Sequence, residues 1–173
     1  IVLLETGPEW AQVFSTLPKP WRGAAFRPEE DNFGIALLSR IALATIQVRS
    51  LGPFSLATVQ AELELDGLPV LLIGVHAAPP LSRQYAQARD AQLEKVAQIV
   101  KTSTRAAIVV GDFNATPWSH SIRALQDVAD LDSAYQLYSP TWPEGGIIKI
   151  PIDLSLYSKS LVATSRRIGA AMG

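Results

Sequence analysis

The sequence has no cysteine, only two histidines, and almost no net charge. Without cysteine there is no disulfide framework, no thiolate metal centre and no cysteine nucleophile. The formal net charge of −1 excludes a chain that grips duplex nucleic acid through overall basicity. A nuclease of this composition needs a local basic rim, whereas a small phosphorylated substrate needs less positive surface. No apolar run reaches the roughly 18 residues of a membrane helix, and no charged-then-apolar leader opens the chain. The sequence starts on Ile1-Val2-Leu3-Leu4 and stops at Met172-Gly173, so both ends read as cuts in a longer protein.

What is present is globular. The 173 residues are 48% hydrophobic and 18% charged, enough apolar material for one domain, 1–173, with a sizeable core. Twelve prolines and eleven glycines imply many turns. Ile1 to Leu4 reads as a buried strand ending at Glu5. Thr6 is positioned to cap a helix carrying Trp10, Val13, Phe14 and Leu17 at helical spacing, and residues 18–32 read as a loop. Gly34 to Ser39 and Ile41 to Val48 read as strands. Residues 57–65 alternate, with Val59, Ala61, Leu63 and Leu65 on one face and Thr58, Gln60, Glu62 and Glu64 on the other, the pattern of a half-exposed strand. Asp66-Gly67 suits a tight hairpin, with Val70 to Val75 returning as a more central strand. Ser82 can cap a long helix to about Lys101, whose apolar stripe is Leu93, Val96, Ala97 and Val100. Ala106 to Val110 is a short buried strand, Trp118 to Val128 a short helix, and Ile150 to Tyr157 and Leu161 to Ile168 the last strands. More strands than helices, with antiparallel hairpins, point to two packed sheets with helices outside.

The chemistry concentrates in Val110-Gly111-Asp112-Phe113-Asn114-Ala115-Thr116-Pro117. An apolar strand runs into Asp112 and Asn114, two residues apart and so expected on one side of the strand end. A carboxylate and a carboxamide there can hold a hydrated metal, orient water and bind phosphate. The same residues also simply make turns. Glu5 and His76 each end an apolar strand, where a solvated charge and a structural histidine are the plain alternatives.

The run GDFNATP, 111–117, resembles the GDFN motif of the endonuclease/exonuclease/phosphatase (deoxyribonuclease I-like) superfamily. Val75-His76-Ala77-Ala78-Pro79 resembles its strand-end histidine segment, Leu4-Glu5 its metal-binding glutamate segment, Pro151-Ile152-Asp153 its late I-D segment and Gly34-Ile35-Ala36-Leu37-Leu38-Ser39-Arg40 its G-x-A-L-L-S-R strand. The five segments stand in family order along nearly the whole chain. The resemblance implies an α/β four-layer sandwich of two mixed, mostly antiparallel sheets packed face to face, with helices outside. It implies a hydrolase that cleaves phosphate esters with activated water and a divalent cation, Mg2+ or alternatively Mn2+.

By that resemblance Glu5 and Asp112 are the metal ligands, and Asp112 also positions or deprotonates the attacking water. Asn114 orients the phosphate. His76 contacts the phosphate or protonates the leaving oxygen, and Asp153 orients a histidine. Leu154 stands where many relatives carry a polar residue, a departure that bears on Asp153. Arg89 and Gln92 match an R-x-x-Q pattern and read as structural hydrogen-bonders. His120 has no match and reads as a surface residue. Trp118 and Trp142 read as packing residues near loops, with base stacking as the alternative. Residues 18–33 and 138–149 are the expected specificity loops.

The family's opening strand and its closing Ser-Asp-His segment have no counterpart, so the 173 residues alone are expected to be weakly active or inactive. A phosphate-ester substrate, nucleic acid among the choices, is the implied partner of a monomer with no evident protein partner. Phosphodiester hydrolysis of the nuclease type stands first; a phosphomonoesterase, a lipid phosphodiesterase and a non-catalytic binding relative stand beside it. The wording DNFGIALLSR, GDFNATPWS, TWP and PID is similar to uncharacterised bacterial members, some with transmembrane helices before the domain. That likeness implies a membrane-tethered domain outside the cytoplasm.

Overall fold

The computed structural model describes residues 1–133, 140–143, 147 and 149–169. Along the chain come β1 (Val2–Leu4), α1 (Trp10–Ser15), β2 (Arg22–Arg27), β3 (Ile35–Ser39), β4 (Leu43–Leu51), β5 (Leu56–Leu65), β6 (Leu68–His76), α2 (Arg83–Thr102), β7 (Ala106–Asp112), α3 (His120–Ala129), β8 (Leu131–Ser133) and β9 (Asp153–Ser158). They form two sheets, one ordered β1-β3-β2 and one ordered β4-β5-β6-β7-β9-β8. Pairing is antiparallel throughout except between β6 and β7. That parallel pair is the one whose connection is a long helix, as a crossover requires.

The β5–β6 hairpin follows directly from its sequence. Asp66 and Gly67 both take positive φ, +50° and +82°, the geometry of a tight turn whose twist matches the strands. Its alternation has a different outcome from the half-exposed strand expected. Ala57, Val59 and Ala61 pack against Ile35 and Leu37 of β3, forming the core between the sheets. The polar face is covered too: Thr58 and Gln60 are buried, because α2 lies across it.

On that outer face Leu71, Ile73 and Val75 of β6 meet Leu93, Val96, Ala97 and Val100 of α2, with Ile122 and Leu125 of α3. Fully burying each such side chain is worth about 1.5–3 kcal/mol, so this layer fixes where α2 sits over the sheet. Ser82 starts the helix as expected, its hydroxyl accepting from the Tyr85 N–H at 3.3 Å. Ser119 does the same for α3.

Several expectations change. Thr6 caps nothing. Its residue is buried, its N–H donates to Gly34 O and its carbonyl accepts from Glu29 N, both at 3.3 Å. The short α1 instead starts after Glu9 with no side-chain cap and rests on β2 through the Phe14–Phe26 ring contact at 4.6 Å. The stretch 18–32 holds β2, which a run of Arg, Gly and Ala disguises because it lacks apolar alternation. Leu161 to Ile168 forms no strand, and the strand expected from Ile150 begins at Asp153. The short β8 pairs with β9 and has too little sequence to announce itself. Of the second specificity loop, residues 138, 139, 144–146 and 148 lie outside the described residues.

Candidate active site

Register brings three of the candidate residues side by side. Within the six-stranded sheet His76 of β6 pairs with Asp112 of β7, and Asp112 pairs with Asp153 of β9. Three adjacent strands thus end at one rim, each on a polar residue. The β6–β7 neighbours can close because residue 111 is glycine. Its φ is +143° and a Cβ there would sit 1.9 Å from the Val75 carbonyl oxygen, so any side chain would push the strands apart.

After Asp112 the chain leaves the sheet. Asn114 has φ +45°, and its N–H donates to Asp112 Oδ1 at 2.7 Å. The side-by-side placement expected from strand pleating is therefore achieved by a turn. The Asn114 carboxamide Nδ2 donates to Ala77 O at 2.8 Å, and the Ala77 N–H donates to Asp112 O at 2.9 Å. These bonds tie the segment after His76 to the segment after Asp112.

Glu5 approaches from the other sheet. It follows β1, is exposed and has φ +56°. The Thr6 backbone bonds to Gly34 and Glu29 hold this turn in place. Gly34 permits the approach, since a Cβ there would lie 1.9 Å from Thr6 O.

Asp153 is exposed, its N–H donating to Thr141 Oγ1 at 3.1 Å and its carbonyl accepting from Arg166 Nη2 at 3.0 Å. Among the described residues no hydrogen bond joins its carboxylate to a histidine. Trp118 and Trp142 are 51% and 55% exposed, so neither is a buried packing residue. His120 is exposed, as expected.

The electrostatics follow from this crowding. Burial, together with the Asp153 and Glu5 carboxylates and against the Asn114 N–H bond, pushes the Asp112 carboxyl up to about 7. Burial lowers His76, although Glu5, Asp153 and Asp31 pull it up; the imidazole is neutral at neutral pH. His76 is 4% exposed, its ring lies 5.4 Å from that of Phe33, and its Nδ1 has no partner among the described residues. Such a group has its ring beside an aromatic neighbour and an unused hydrogen-bonding atom that is itself buried.

Three carboxylates at one mouth concentrate negative charge that a hard cation would offset. Among the described residues no three His, Cys, Asp or Glu side chains gather tightly enough to ligate one ion together. A hydrated Mg2+ or Mn2+ takes one or two carboxylates, the remaining positions going to water and substrate oxygens, and Glu5 and Asp112 are the residues that would supply them.

Sequence reasoning missed Phe33 and the parts that Thr6, Gly34 and the carbonyl of Ala77 play at the site, since each acts through a contact remote in sequence. Alongside β1 runs a cleft of about 780 Å3 bordered by Val2, Leu4, Gly111, Trp142, Asp153 and Arg166.

A model of the Endonuclease/Exonuclease/phosphatase family matches residues 1–171. The chain belongs to this family. No curated protein sequence matches it. Among solved structures, TDP2 of D. rerio complexed with single strand DNA product superposes with a TM-score of 0.72 at 13% identity, over 94% of this chain and 72% of that one. The human nocturnin catalytic domain with bound sulfate anion gives 0.60 at 21%, over 91% and 68%. Sphingomyelinase C from Streptomyces griseocarneus gives 0.58 at 18%, over 79% and 55%. At these identities the likeness shows the fold, a deoxyribonuclease I-like sandwich. The chain spans little more than half the length of the sphingomyelinase it matches.

Proposed function

We propose that this family member is a divalent-metal-dependent phosphodiesterase that attacks the phosphorus with water. The observation that carries the reading is the register that lines up His76, Asp112 and Asp153 on three adjacent strand ends, with Asn114 bonded to Asp112 and Glu5, just after β1, near enough for its charge to act on His76 and Asp112.

Glu5 and Asp112 would hold the cation, Mg2+ or Mn2+. Bound there, it neutralises charge on the phosphoryl oxygens. Asp112, whose carboxyl lies near 7 without metal, would be ionised once a cation is bound and so able to position the attacking water and accept its proton at neutral pH. The Asn114 amide has one Nδ2 hydrogen committed to Ala77 and the other free to donate to a phosphate oxygen. His76, held neutral by burial, serves better as a hydrogen-bond donor to phosphate than as the acid for the leaving oxygen. Asp153 adds negative charge beside Asp112, which raises the basicity of that carboxylate. The near-zero net charge speaks against tight duplex binding, which depends on several Lys and Arg phosphate contacts.

The test is hydrolysis of bis(para-nitrophenyl) phosphate and of plasmid DNA by the full-length protein, with Mg2+ and with a chelator, beside Asp112→Ala. Metal-dependent cleavage that drops roughly 10²- to 10⁴-fold in the variant supports the reading. Cleavage that persists in the variant or with the chelator rejects it. A phosphomonoester cleaved in preference to both diesters would move the protein to the phosphatase side of the family.

A further inference from the structure

Three polar side chains are buried in the layer where α2 covers the six-stranded sheet. Thr58 and Gln60 stand on the outer face of β5, Gln92 belongs to α2, and none is more than 3% exposed. The layer around them is apolar, with Ile73 and Val75 of β6 and Leu93, Val96 and Ala97 of α2. Two of the three carry an orphaned atom: Gln60 Nε2 and Gln92 Oε1 are buried with no hydrogen-bond partner among the described residues.

Folding alone gives no reason for this polarity. A buried amide atom without a partner keeps its desolvation penalty, whereas replacing both members of a buried polar pair by apolar groups of the same shape is nearly neutral or stabilising. Aliphatic side chains also fit here, since Val75 stands across from Thr58 and Ile73 across from Gln60 on the neighbouring strand.

The bonds of Gln92 supply a reason. Its Nε2 donates to Thr58 Oγ1 at 3.1 Å and to the His76 carbonyl at 3.4 Å. The shorter bond sets the plane of the carboxamide, and that plane aims the second N–H at His76. The same peptide unit is held on its other side, where the Ala77 N–H donates to Asp112 O at 2.9 Å. The oxygen of the His76–Ala77 peptide is thus fixed from α2 and its nitrogen from the end of β7. No hydrogen bond at Nδ1 helps to place the His76 ring among the described residues, so the main chain carries more of that task.

We infer that Gln92, oriented by Thr58, is a positioning residue for His76: a buried polar pair that adds little to folding and fixes the peptide from which the imidazole projects. Its effect on rate rests on the phosphodiesterase reading; its effect on the peptide rests on the hydrogen bonds alone. Gln60 is the internal control, since it shares the burial, the strand face and the orphaned atom but has no hydrogen bond to a site residue among the described residues.

The full-length protein is assayed on bis(para-nitrophenyl) phosphate, with the rate taken per folded molecule and amide hydrogen exchange followed alongside. The double variant Thr58→Val, Gln92→Met removes both partners together and should shift the urea midpoint little, while lowering kcat roughly 5- to 50-fold with KM nearly unchanged. Thr58→Val alone should lower kcat in the same direction, and Thr58→Ser, which keeps the acceptor oxygen, should recover most of the rate. Gln60→Met should leave kcat as in wild type. The Ala77 amide should exchange faster in the double variant and not in Gln60→Met. A wild-type rate per folded molecule in the double variant overturns the inference, and so does an equal loss in Gln60→Met. If the wild type cleaves no diester, the hydrolase reading fails and hydrogen exchange decides the positioning role by itself: a faster Ala77 amide in the double variant alone upholds it, and exchange equal to wild type, or faster in both variants, removes it.

Discussion

The Arg89 guanidinium donates from Nη1 to the main-chain carbonyl of Asn114 at 3.1 Å. Three residues further along α2, on the same helical face, the Gln92 carboxamide donates to Thr58 Oγ1 at 3.1 Å and to the His76 carbonyl at 3.4 Å. One turn of one helix therefore grips the backbone at two candidate site residues. The hydrophobic stripe fixes the helix on the sheet, and Arg89 and Gln92 pass that position on to the rim.

Arg89 is thus a positioning residue. Losing its charge-assisted bond is worth about 1.5–3 kcal/mol, and much of that should appear as misplacement of Asn114. Arg89→Ala should lower kcat on a nitrophenyl diester by roughly 10- to 100-fold with little change in KM. Arg89→Lys should restore part of it. The rate per folded molecule, with the folded fraction taken from a thermal melt, distinguishes this from unfolding, which would lower the active fraction and leave the rate per folded molecule unchanged.

The Asp112 carboxyl gives a stability effect of definite sign. Its pKa is about 7 folded against 3.8 for the free group, so between those values the folded state binds more protons than the unfolded state. Stability from this group is complete below about pH 4 and is lost as pH rises through 7. Asp112→Asn keeps an oxygen to accept the Asn114 N–H and removes the buried charge. Without metal it should be more stable than wild type at pH 8, by on the order of 2–4 kcal/mol, with little difference at pH 4. Urea titrations at the two pH values measure this; a variant equally unstable at both would contradict it.

A divalent cation should act on the same carboxylates. Mg2+ or Mn2+ should raise the melting temperature of wild type at pH 8 more than at pH 5, because only the ionised form of Asp112 binds well. The gain should shrink in Asp112→Asn and in Glu5→Gln. In rate measurements, the rising limb of kcat/KM near pH 7 should move to lower pH as metal concentration increases, since a positive charge favours the carboxylate.

Gly111 is constrained by the sheet itself. Gly111→Ala places a methyl group against the Val75 carbonyl at a backbone angle of +143°. It should destabilise the fold by about 3 kcal/mol or more and separate His76 from Asp112, abolishing activity. Gly67→Ala is a suitable control: its φ is also positive at +82°, yet open space surrounds it. It should cost about 1 kcal/mol and leave the rates intact.

Much of the fold can be read from the amino-acid pattern because the deciding interactions are local. The Asp66-Gly67 turn, the Ser82 cap and the 3.6-residue stripe of α2 depend on neighbours within a few positions. The family motifs are also contiguous strings, so Glu5, His76, Asp112, Asn114 and Asp153 could all be named as candidates. Strand β2, with its Arg-Gly-Ala-Ala run, could not be read this way. It is held by pairing with β3, and no local alternation marks it.

What the tertiary structure decided is which groups meet. Thr58 and Gln60 alternate like surface residues, yet they are buried because a helix more than 20 positions away lies over them. The approach of β6 to β7 depends on a missing side chain at residue 111, and only packing reveals the clash that any other residue would cause. The carboxyl of Asp112 is raised by burial, by Asp153 at the start of β9 and by Glu5 just after β1. Register, cover and mutual charge are long-range properties, whereas the turns, caps and stripes that the sequence determined by itself arise from residues close together along the chain.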